Sequence, residues 1–359
     1  MDDLLRTANK GEWAELYVFF KIMLERVLYA ADEDLAPKTE EWFRFFKLYR
    51  HLSKGGVQEF DLSEEGKILV SQDGVQFEVL DEGDLRAKTK RILERIKEAK
   101  ATFHVQDAAS LMDTYGLKTV KAGSDSKTDI DADVLISNTS KTQRMGFSVK
   151  SYIGGPPTLV NSSSHTNFVY EVIGFNGDVD EINSIDSKSK VRDRIEEIRQ
   201  FGGSLRYVSM SSESFRKNLR LQDSIYPTIM AEMLMRFYSG LGNDFISLGK
   251  MIADDASTGV TETEVAMMTK RYLRSSALGM VPGTDWSGTL SAQGGYIVVL
   301  EDGGLVCYNL YFDDDFREYL YTNTRFDTPS TTKYKFGRLY EAGGKLYFNL
   351  NLQIRFKRA

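Results

Sequence analysis

The sequence predicts a protein of the mixed α/β class, because segments with helical periodicity alternate with segments of strand periodicity along the chain. Apolar residues recur at helical spacing over residues 10–30. Apolar and polar residues alternate over 129–136 and 146–152, which predicts two neighbouring strands. The clearest alternation runs from Lys345 to Phe356, where every second residue is apolar.

The other predicted elements fill the chain between these segments. Residues 42–48 and the runs VQEFDL, KILVSQ and VQFEVL predict short strands, with turns at Gly55-Gly56 and Asp73-Gly74. Residues 84–99 have the composition of a charged amphipathic helix. Further helices are predicted over 167–173, 188–201, 223–239 and 262–278, and further strands over 205–210, 296–300 and 305–310.

The composition disfavours several classes of protein. The chain has no run of about 18 consecutive apolar residues for a membrane span, and its N-terminus lacks the apolar core of a secretory signal. Cys307 is the single cysteine, so neither a disulfide within the chain nor a cysteine-built zinc site can form. The histidines, His51, His104 and His165, lie too far apart in sequence to indicate a histidine-based metal site. We therefore expect a cytoplasmic protein.

The charge distribution favours a nucleic-acid partner at one end of the chain only. The net charge is −6, which by itself disfavours binding to phosphates. Residues 316–359 contain nine Lys and Arg against three Asp and Glu, an excess of six positive charges. A basic C-terminal region in an acidic chain is compatible with contacts to nucleic acid.

The predicted strand pair carries the residue types that phosphodiester hydrolysis needs. Alternation places Asp129, Asp131 and Asp133 on one face of the first strand, and Ser148 and Lys150 on one face of the second. A carboxylate can hold Mg²⁺, and a lysine can position or deprotonate the attacking water. The alternative is a half-buried hairpin with a solvated acidic face, which the same pattern also predicts.

Two acids lie in the first predicted helix. Glu15 shares an apolar stripe with Phe19 and Ile22, so its carboxylate must either pair with a cation or coordinate a metal. Glu12 lies one turn earlier, where the helix dipole favours an acid, and we interpret it as a first-turn acid.

Several sequence motifs together resemble the HpaII family of type II restriction endonucleases. They are KGEWAE, SKTDIDAD, FSVKSYIGGPPTLVNSS, TNFVYE, FREYLYTNTRFDTPSTTKY and LNLQIRF, and they span nearly the whole chain. The pair TDI and SVKS is shared by many nucleases, whereas its combination with GGPPTLVNSS, TNFVYE and LNLQIRF is much more specific.

The resemblance implies a PD-(D/E)xK core, a mixed sheet flanked by helices, with additional helical and β elements for DNA binding. It also implies Mg²⁺-dependent cleavage of double-stranded DNA at a short palindrome, CCGG in the type member, with Mn²⁺ able to substitute. By position, Asp129 corresponds to the motif aspartate, Lys150 to the motif lysine and Glu15 to the first-helix acid.

The resemblance also suggests how the chain is divided. We expect residues 1–175 to form the catalytic core, 176–285 a helical insertion or subdomain, and 286–359 a β-rich region for DNA recognition. The alternative is that all three form one integrated domain.

The sequence departs from the family pattern at the middle position of the second half-motif. Ser148 stands where Asp or Glu is usual, and a serine is a poor Mg²⁺ ligand. A second metal-binding carboxylate must then come from elsewhere. The candidates are Glu171, in the following predicted helix, and Glu15; the alternative for Glu171 is an ordinary surface acid.

Three polar segments are candidates for DNA contacts. The polar face of the last strand carries Asn349, Asn351, Gln353 and Arg355, side chains suited to base edges, although an edge strand facing solvent predicts the same pattern. The loop at 161–167 offers short donors for phosphates, or is a plain turn; its candidates are Asn161, Ser162, Ser163, Thr166 and Asn167. Arg325, Lys333 and Lys335 are candidates for phosphate contacts by charge alone.

The alternatives to a restriction endonuclease are a repair or recombination nuclease of the same fold and a non-catalytic DNA-binding protein. The SVKS motif occurs once, so the chain contains one catalytic set. A palindrome has two equivalent scissile phosphates, which a two-fold homodimer on the DNA can reach together. The alternative is a monomer that nicks, dissociates and returns.

Overall fold

The structure of the protein is a computed structural model that describes residues 6–52, 56–72, 75–79, 82–120 and 128–358. The helices are α1 (Lys10–Glu25), α2 (Glu82–Glu98), α3 (Gln106–Thr114), α4 (Val179–Ser184), α5 (Lys190–Gln200), α6 (Glu213–Arg220), α7 (Tyr226–Tyr238), α8 (Phe245–Asp254), α9 (Glu262–Leu278) and α10 (Asp313–Asn323). Gly55 and Asp73-Gly74, part of two predicted turns, lie outside the described residues.

The strands are distributed along the whole chain, which confirms the predicted mixed α/β class. They are β1 (Thr7–Ala8), β2 (Val27–Ala31), β3 (Pro37–His51), β4 (Val57–Asp61), β5 (Leu69–Gln72), β6 (Val75–Val79), β7 (Phe103–His104), β8 (Ile130–Ile136), β9 (Gln143–Ser151), β10 (Thr158–Val160), β11 (Asn167–Ile173), β12 (Ser204–Met210), β13 (Gly295–Val299), β14 (Leu305–Tyr308), β15 (Thr324–Phe326), β16 (Leu339–Ala342), β17 (Lys345–Asn351) and β18 (Ile354–Phe356).

Contacts between residues divide the chain into two compact units, each discontinuous in sequence. Unit 1 comprises Met1–Pro157, Leu290–Phe316 and Arg358–Ala359. Unit 2 comprises Thr158–Thr289 and Arg317–Lys357. The division into a catalytic core, an insertion and a recognition region is a functional assignment and stays a prediction. Among the residues that the structure describes, no helix has both the length and the apolar character to cross a membrane.

Unit 1 is organised around a mixed sheet with the strand order β2-β14-β13-β9-β8-β3-β4-β5-β6. Strand β2 also pairs with β3, so the first six strands in that order close into a ring. The closure is possible because β3 is long: Phe43 pairs with Leu28 of β2 on one side and with Ile136 of β8 on the other. Apolar residues of α1 and of the sheet share one buried core.

The predicted hairpin at β8 and β9 is present in unit 1. Burial alternates strictly along β8, with Ile130, Ala132, Val134 and Ile136 buried between half-buried acids and a leucine. In β9, Phe147 and Val149 point into the core of unit 1. Ser148 and Lys150 therefore lie on the opposite face, as the alternation predicts.

Unit 2 contains two antiparallel sheets and the helices α4 to α9. One sheet has the order β12-β11-β17-β16 and the other the order β10-β18-β15. The apolar side of the last segment, residues 346–356, is buried from Phe348 onward, as its alternation predicts.

Three of the predicted elements differ from the structure. The first helix ends at Glu25, because Arg26 adopts a left-handed conformation (φ 59°) and caps it, and β2 follows. Residues 167–173 form strand β11 and not a helix, since their aromatic and β-branched side chains pair with both β12 and β17. The predicted strand over 345–356 is interrupted after Asn351, and its two parts, β17 and β18, belong to different sheets.

Candidate active site

Strand pairing brings Asp129 to the level of Ser148. The backbone N–H of Asp129 donates to the carbonyl of Phe147 (2.9 Å), which extends the β8–β9 ladder by one residue. The Oδ2 atom of Asp129 then accepts hydrogen bonds from the backbone N–H of Val149 (2.7 Å) and from Ser148 Oγ (3.1 Å). Its other oxygen, Oδ1, has no hydrogen-bond donor among the described residues. The carboxylate is thus oriented through one oxygen, and the second is available to a ligand.

Lys150 lies on the same face of β9 as Ser148 and is half-buried. Its Nζ is 5.2 Å from the centre of the Tyr296 ring, within cation–π range. Burial lowers the pKa of Lys150, and the negative charges of Asp129 and Glu15 oppose that shift. The three residues come from different elements: Glu15 from α1, Lys150 from β9 and Asp129 from the residue that precedes β8.

Strand β13 is the neighbour of β9, the strand that carries this lysine. It runs parallel to β9 and places Tyr296 opposite Ser148 and Val298 opposite Lys150. Gly295 opens the strand with φ 89°, and a Cβ at that position would lie 1.9 Å from the carbonyl oxygen of Tyr308. Only glycine permits this close approach of β13 to β14, and Tyr296 is the next residue of the strand.

The other two aspartates of the DIDAD segment are engaged by neighbouring side chains. Asp131 is bound by Arg144 (2.8 Å) and by His51 Nε2 (3.0 Å), and Asp133 accepts a hydrogen bond from the Tyr49 hydroxyl (2.8 Å). Burial tends to raise the pKa of Asp131, but the hydrogen bonds from Arg144 and His51 outweigh it and leave the pKa lowered. Asp131 and Asp133 therefore lie on a face of the sheet where neighbouring side chains bind their carboxylates.

The two acids of α1 have different surroundings. Glu12 closes a capping box with Asn9, accepting from the Asn9 backbone N–H (3.0 Å) while its own N–H donates to Asn9 Oδ1 (3.1 Å). The prediction that it is a first-turn acid is confirmed. Glu15 is half-buried, and its charge acts on Lys150 and on Arg50. Burial lowers the pKa of Arg50 to about 10, with Glu15 opposing the shift.

Glu171 lies in unit 2, on β11. The premise that it follows the lysine motif on a helix was wrong, because residues 167–173 form a strand. Both carboxylate oxygens of Glu171 form ion pairs, one with Arg206 (2.7 Å) and one with Lys345 (2.7 Å). The hydrogen bond from Lys345, followed by that from Arg206, lowers the pKa of Glu171. Its assignment as a metal ligand stays a prediction, because both oxygens that could bind a metal are in ion pairs.

Several predicted DNA contacts are buried and bonded within unit 2. Asn351 is fully buried and donates to Ser163 O (2.8 Å) and Asn167 Oδ1 (2.7 Å). Thr166, also fully buried, donates from Oγ1 to Asn351 Oδ1 (3.2 Å). Asn349 accepts from the Tyr340 hydroxyl (2.9 Å). In this conformation these polar side chains are bonded to other parts of unit 2.

The remaining predicted DNA contacts are more accessible. Arg355 is half-buried and pairs with Asp327 (3.0 Å), and Arg325 lies 4.0 Å from the same carboxylate. The others are exposed or half-buried: Asn161, Ser162, Ser163, Lys333 and Gln353. Which of them meets DNA stays a prediction.

The sequence reasoning missed Tyr296 as a component of this site. It begins the run YIVVL, in which an aromatic residue is typical of a buried strand. Its position beside Lys150 depends on the parallel pairing of β13 with β9, two strands far apart in sequence. No local pattern could have indicated it.

The oxygen atoms at this site are of the kind that Mg²⁺ prefers. The structure shows no group of three or more His, Cys, Asp or Glu side chains suited to a metal, within the residues it describes. Mg²⁺ keeps several waters and is often held by one or two carboxylates together with substrate phosphates, so it does not need such a cage. The Asp129 carboxylate, with its free Oδ1, fits that mode of binding.

Comparison with known proteins agrees with the resemblance. The sequence model of the HpaII restriction endonuclease family matches residues 9–356. The chain is 33% identical over 357 residues to a type II restriction enzyme, HpaII, from Haemophilus parainfluenzae, covering 98% of each chain. No solved structure matches this chain.

Proposed function

Because this chain belongs to the HpaII restriction endonuclease family, we propose that Asp129, Lys150 and Glu15 form its phosphodiester-cleaving centre. Family membership gives the reaction class, site-specific cleavage of DNA by a type II restriction endonuclease. The observation that carries the residue assignment is the Asp129 carboxylate, which Ser148 and Val149 orient next to β9, the strand that carries Lys150.

We assign unit 1 to a PD-(D/E)xK core. Three features support the assignment: a half-motif aspartate beside β8, a lysine two residues after Ser148 on the neighbouring antiparallel strand, and an acid from α1. A further parallel strand, β13, makes the sheet mixed at this point. The six-strand ring is an elaboration that the simple description of a sheet between helices does not include.

Type II restriction endonucleases generally use a divalent metal ion, and we propose Mg²⁺ here, with Mn²⁺ able to substitute. Asp129 would hold the ion, and Glu15 is the better-supported second carboxylate. Its charge already acts on Lys150, whereas both oxygens of Glu171 are occupied by cations. The bound ion would neutralise charge developing on the phosphate and acidify a bound water.

Lys150 acts on the nucleophile in this proposal. Its lowered pKa increases the fraction of neutral amine near neutral pH, which can accept a proton from water. The protonated amine can instead donate hydrogen bonds to the water or the phosphate. Tyr296 limits the positions of Nζ by packing beside it, and Ser148 orients Asp129.

The substrate proposed is double-stranded DNA with a short palindromic site, CCGG by analogy with the family's type member. Among the predicted DNA contacts, we favour the long side chains that are exposed or half-buried: Arg325, Lys333, Lys335, Gln353 and Arg355. One catalytic centre per chain favours a two-fold dimer on the palindrome. The cytoplasm remains the expected location of the enzyme.

The proposal is tested by cleavage of a plasmid of known sequence. The parent should give discrete fragments with Mg²⁺ or Mn²⁺ and none with excess chelator. Asp129→Asn and Lys150→Ala should each reduce the cleavage rate by about a thousandfold or more, while DNA binding changes little. Asp133→Asn is the matched control, because it removes a nearby carboxylate that is bonded to Tyr49.

Four outcomes would contradict the proposal. Full activity in excess chelator would exclude a metal-dependent mechanism. Near-normal turnover of Lys150→Ala would remove that residue from the mechanism. Equal losses in Asp133→Asn and Asp129→Asn would mean that the strand needs its acids for folding. A smear of random products in place of discrete fragments would favour a repair-type nuclease of the same fold.

A further inference from the structure

A large groove in unit 2 is lined by two separate segments of the chain. One segment lies within residues 183–194, from α4 to the first turns of α5, and the other within 331–340, which lead into β16; Asn349 of β17 also lines the groove. Its volume is about 1180 Å³. We call it the basic groove, because its lining residues carry an excess of positive charge.

The side chains lining the basic groove carry an excess of positive charge. The cations are Lys190, Arg194, Lys335 and Arg338, against a single acid, Asp186. Lys190 uses that acid in an ion pair of 2.6 Å. In the part of the chain that the structure describes, Arg194, Lys335 and Arg338 have no carboxylate within ion-pair distance. In a chain of net charge −6, this local excess of positive charge suits an anionic ligand.

Arg194 is held at this groove in an incompletely satisfied state. It is 4% exposed, and its guanidinium donates to three backbone carbonyls, those of Gly337, Asn183 and Ile185. Its Nε is buried without a hydrogen-bond partner. Burial lowers the pKa of Arg194, and the positive charge of Arg338 lowers it further. An anion in the groove would offset that repulsion.

The segment that carries Lys335 is held in a strained backbone conformation. Tyr334 and Lys335 have φ values of 63° and 50°, in the left-handed region that non-glycine residues rarely adopt. Asn167 Nδ2 donates to Tyr334 O (2.7 Å), and the backbone N–H of Gly337 donates to Asn349 O (2.8 Å), which fixes the turn. Strain that is maintained by neighbouring hydrogen bonds is characteristic of functional segments.

We propose that the basic groove binds the phosphate backbone of DNA, with Lys335 and Arg338 in direct contact with phosphates. Both side chains are exposed, and neither has an ion-pair partner among the described residues. Thr331 and Thr332 add neutral donors at the same wall, of the kind that often contact phosphates. The proposal rests on the DNA-cleaving function proposed above and assigns a part of unit 2 to holding that substrate.

The assignment also gives the buried amides a purpose. Asn167 was predicted to contact phosphates and Asn349 to read bases, but their side-chain amides donate to Tyr334 O (2.7 Å) and Lys335 O (3.5 Å), in the segment that lines the groove. They would therefore act on DNA binding indirectly, by maintaining the position of Lys335.

The test is the salt dependence of binding to a fluorescent DNA duplex, measured by anisotropy in the presence of EDTA so that no cleavage occurs. The variant is Lys335→Ala/Arg338→Ala. The control is Lys250→Ala/Arg271→Ala, which removes the same two residue types from exposed positions of α8 and α9 outside the groove. Circular dichroism of both variants would check that they are folded.

The groove variant should bind about tenfold or more weakly, and the slope of log K against log salt should become shallower by about 1 for each phosphate contact removed, about 2 in total. The control should keep the slope of the parent. Equal slopes and affinities for the groove variant and the control would overturn the basic groove as a DNA site. A parent that cuts no plasmid and binds no duplex would instead refute the proposed function.

Discussion

Replacing Asn351 separates a structural role for the polar face of the last strand from a role in reading DNA. Asn351 is 0% exposed and takes part in three side-chain hydrogen bonds, to Ser163 O, to Asn167 Oδ1 and from Thr166 Oγ1. Each contributes about 1 kcal/mol, and the buried partners left behind lose their bonds as well. Asn351→Ala should therefore lower the free energy of unfolding by about 3 kcal/mol.

The measurement is urea denaturation followed by tryptophan fluorescence and circular dichroism. Gln353→Ala is the matched control two residues further along, because Gln353 is half-buried and no side-chain hydrogen bond holds it in the described structure. Its unfolding free energy should change by no more than about 0.5 kcal/mol. A destabilisation of less than about 1 kcal/mol for Asn351→Ala, together with loss of sequence preference, would refute the structural role.

Three further predictions concern unit 1 and assembly. Asp131→Asn should reduce stability by about 1 kcal/mol at neutral pH. The hydrogen bonds from Arg144 and His51 hold the folded-state pKa of Asp131 below its ordinary 3.8, despite burial. Its contribution is thus present above pH 3.8 and lost as the pH falls through the lower folded value, so acid titration of parent and variant should converge. A dimer on DNA should convert supercoiled plasmid to linear product with little nicked intermediate; persistent nicking at saturating enzyme, with a monomeric complex by light scattering, would contradict it. Ser148→Ala should slow cleavage about tenfold by removing one hydrogen bond to Asp129, and Ser148→Thr should restore the rate; an alanine variant as fast as the parent would show that the bond is unimportant.

Local patterns in the sequence were sufficient for most of the secondary structure of unit 1. The alternation along 130–136 predicted which residues of β8 enter the core, because successive side chains of a strand point to opposite faces and only one face packs on the core. Helix α2 was predicted equally well from its charged residues, which lie on the side away from Leu85, Ile92 and Ile96. These elements are determined by residues near one another in the chain.

The errors arose where distant residues decide the outcome. The segment NFVYEVI has an apolar content that suits either a helix or a buried strand, and its pairing with β12 and β17 selects the strand. The ring of six strands depends on the two-sided pairing of β3, which no window of sequence reveals. Asn351 has the polarity of a surface residue, and only the positions of Ser163 and Asn167 explain its burial.

The serine in the half-motif changes what that position does in the site. An acid there would add a second negative charge next to Asp129, and one of the two would hold a proton unless a metal ion compensated both. Ser148 adds no charge and donates its hydroxyl to the same oxygen that Val149 N–H binds, so Asp129 is oriented without a metal. The charges of Asp129 and of Glu15 in α1 both oppose the effect of burial on the pKa of Lys150. These two acids belong to different elements, Asp129 to the residue before β8 and Glu15 to α1. It also means that the geometry of the site depends on how α1 packs against β9, and not on the strand pair alone.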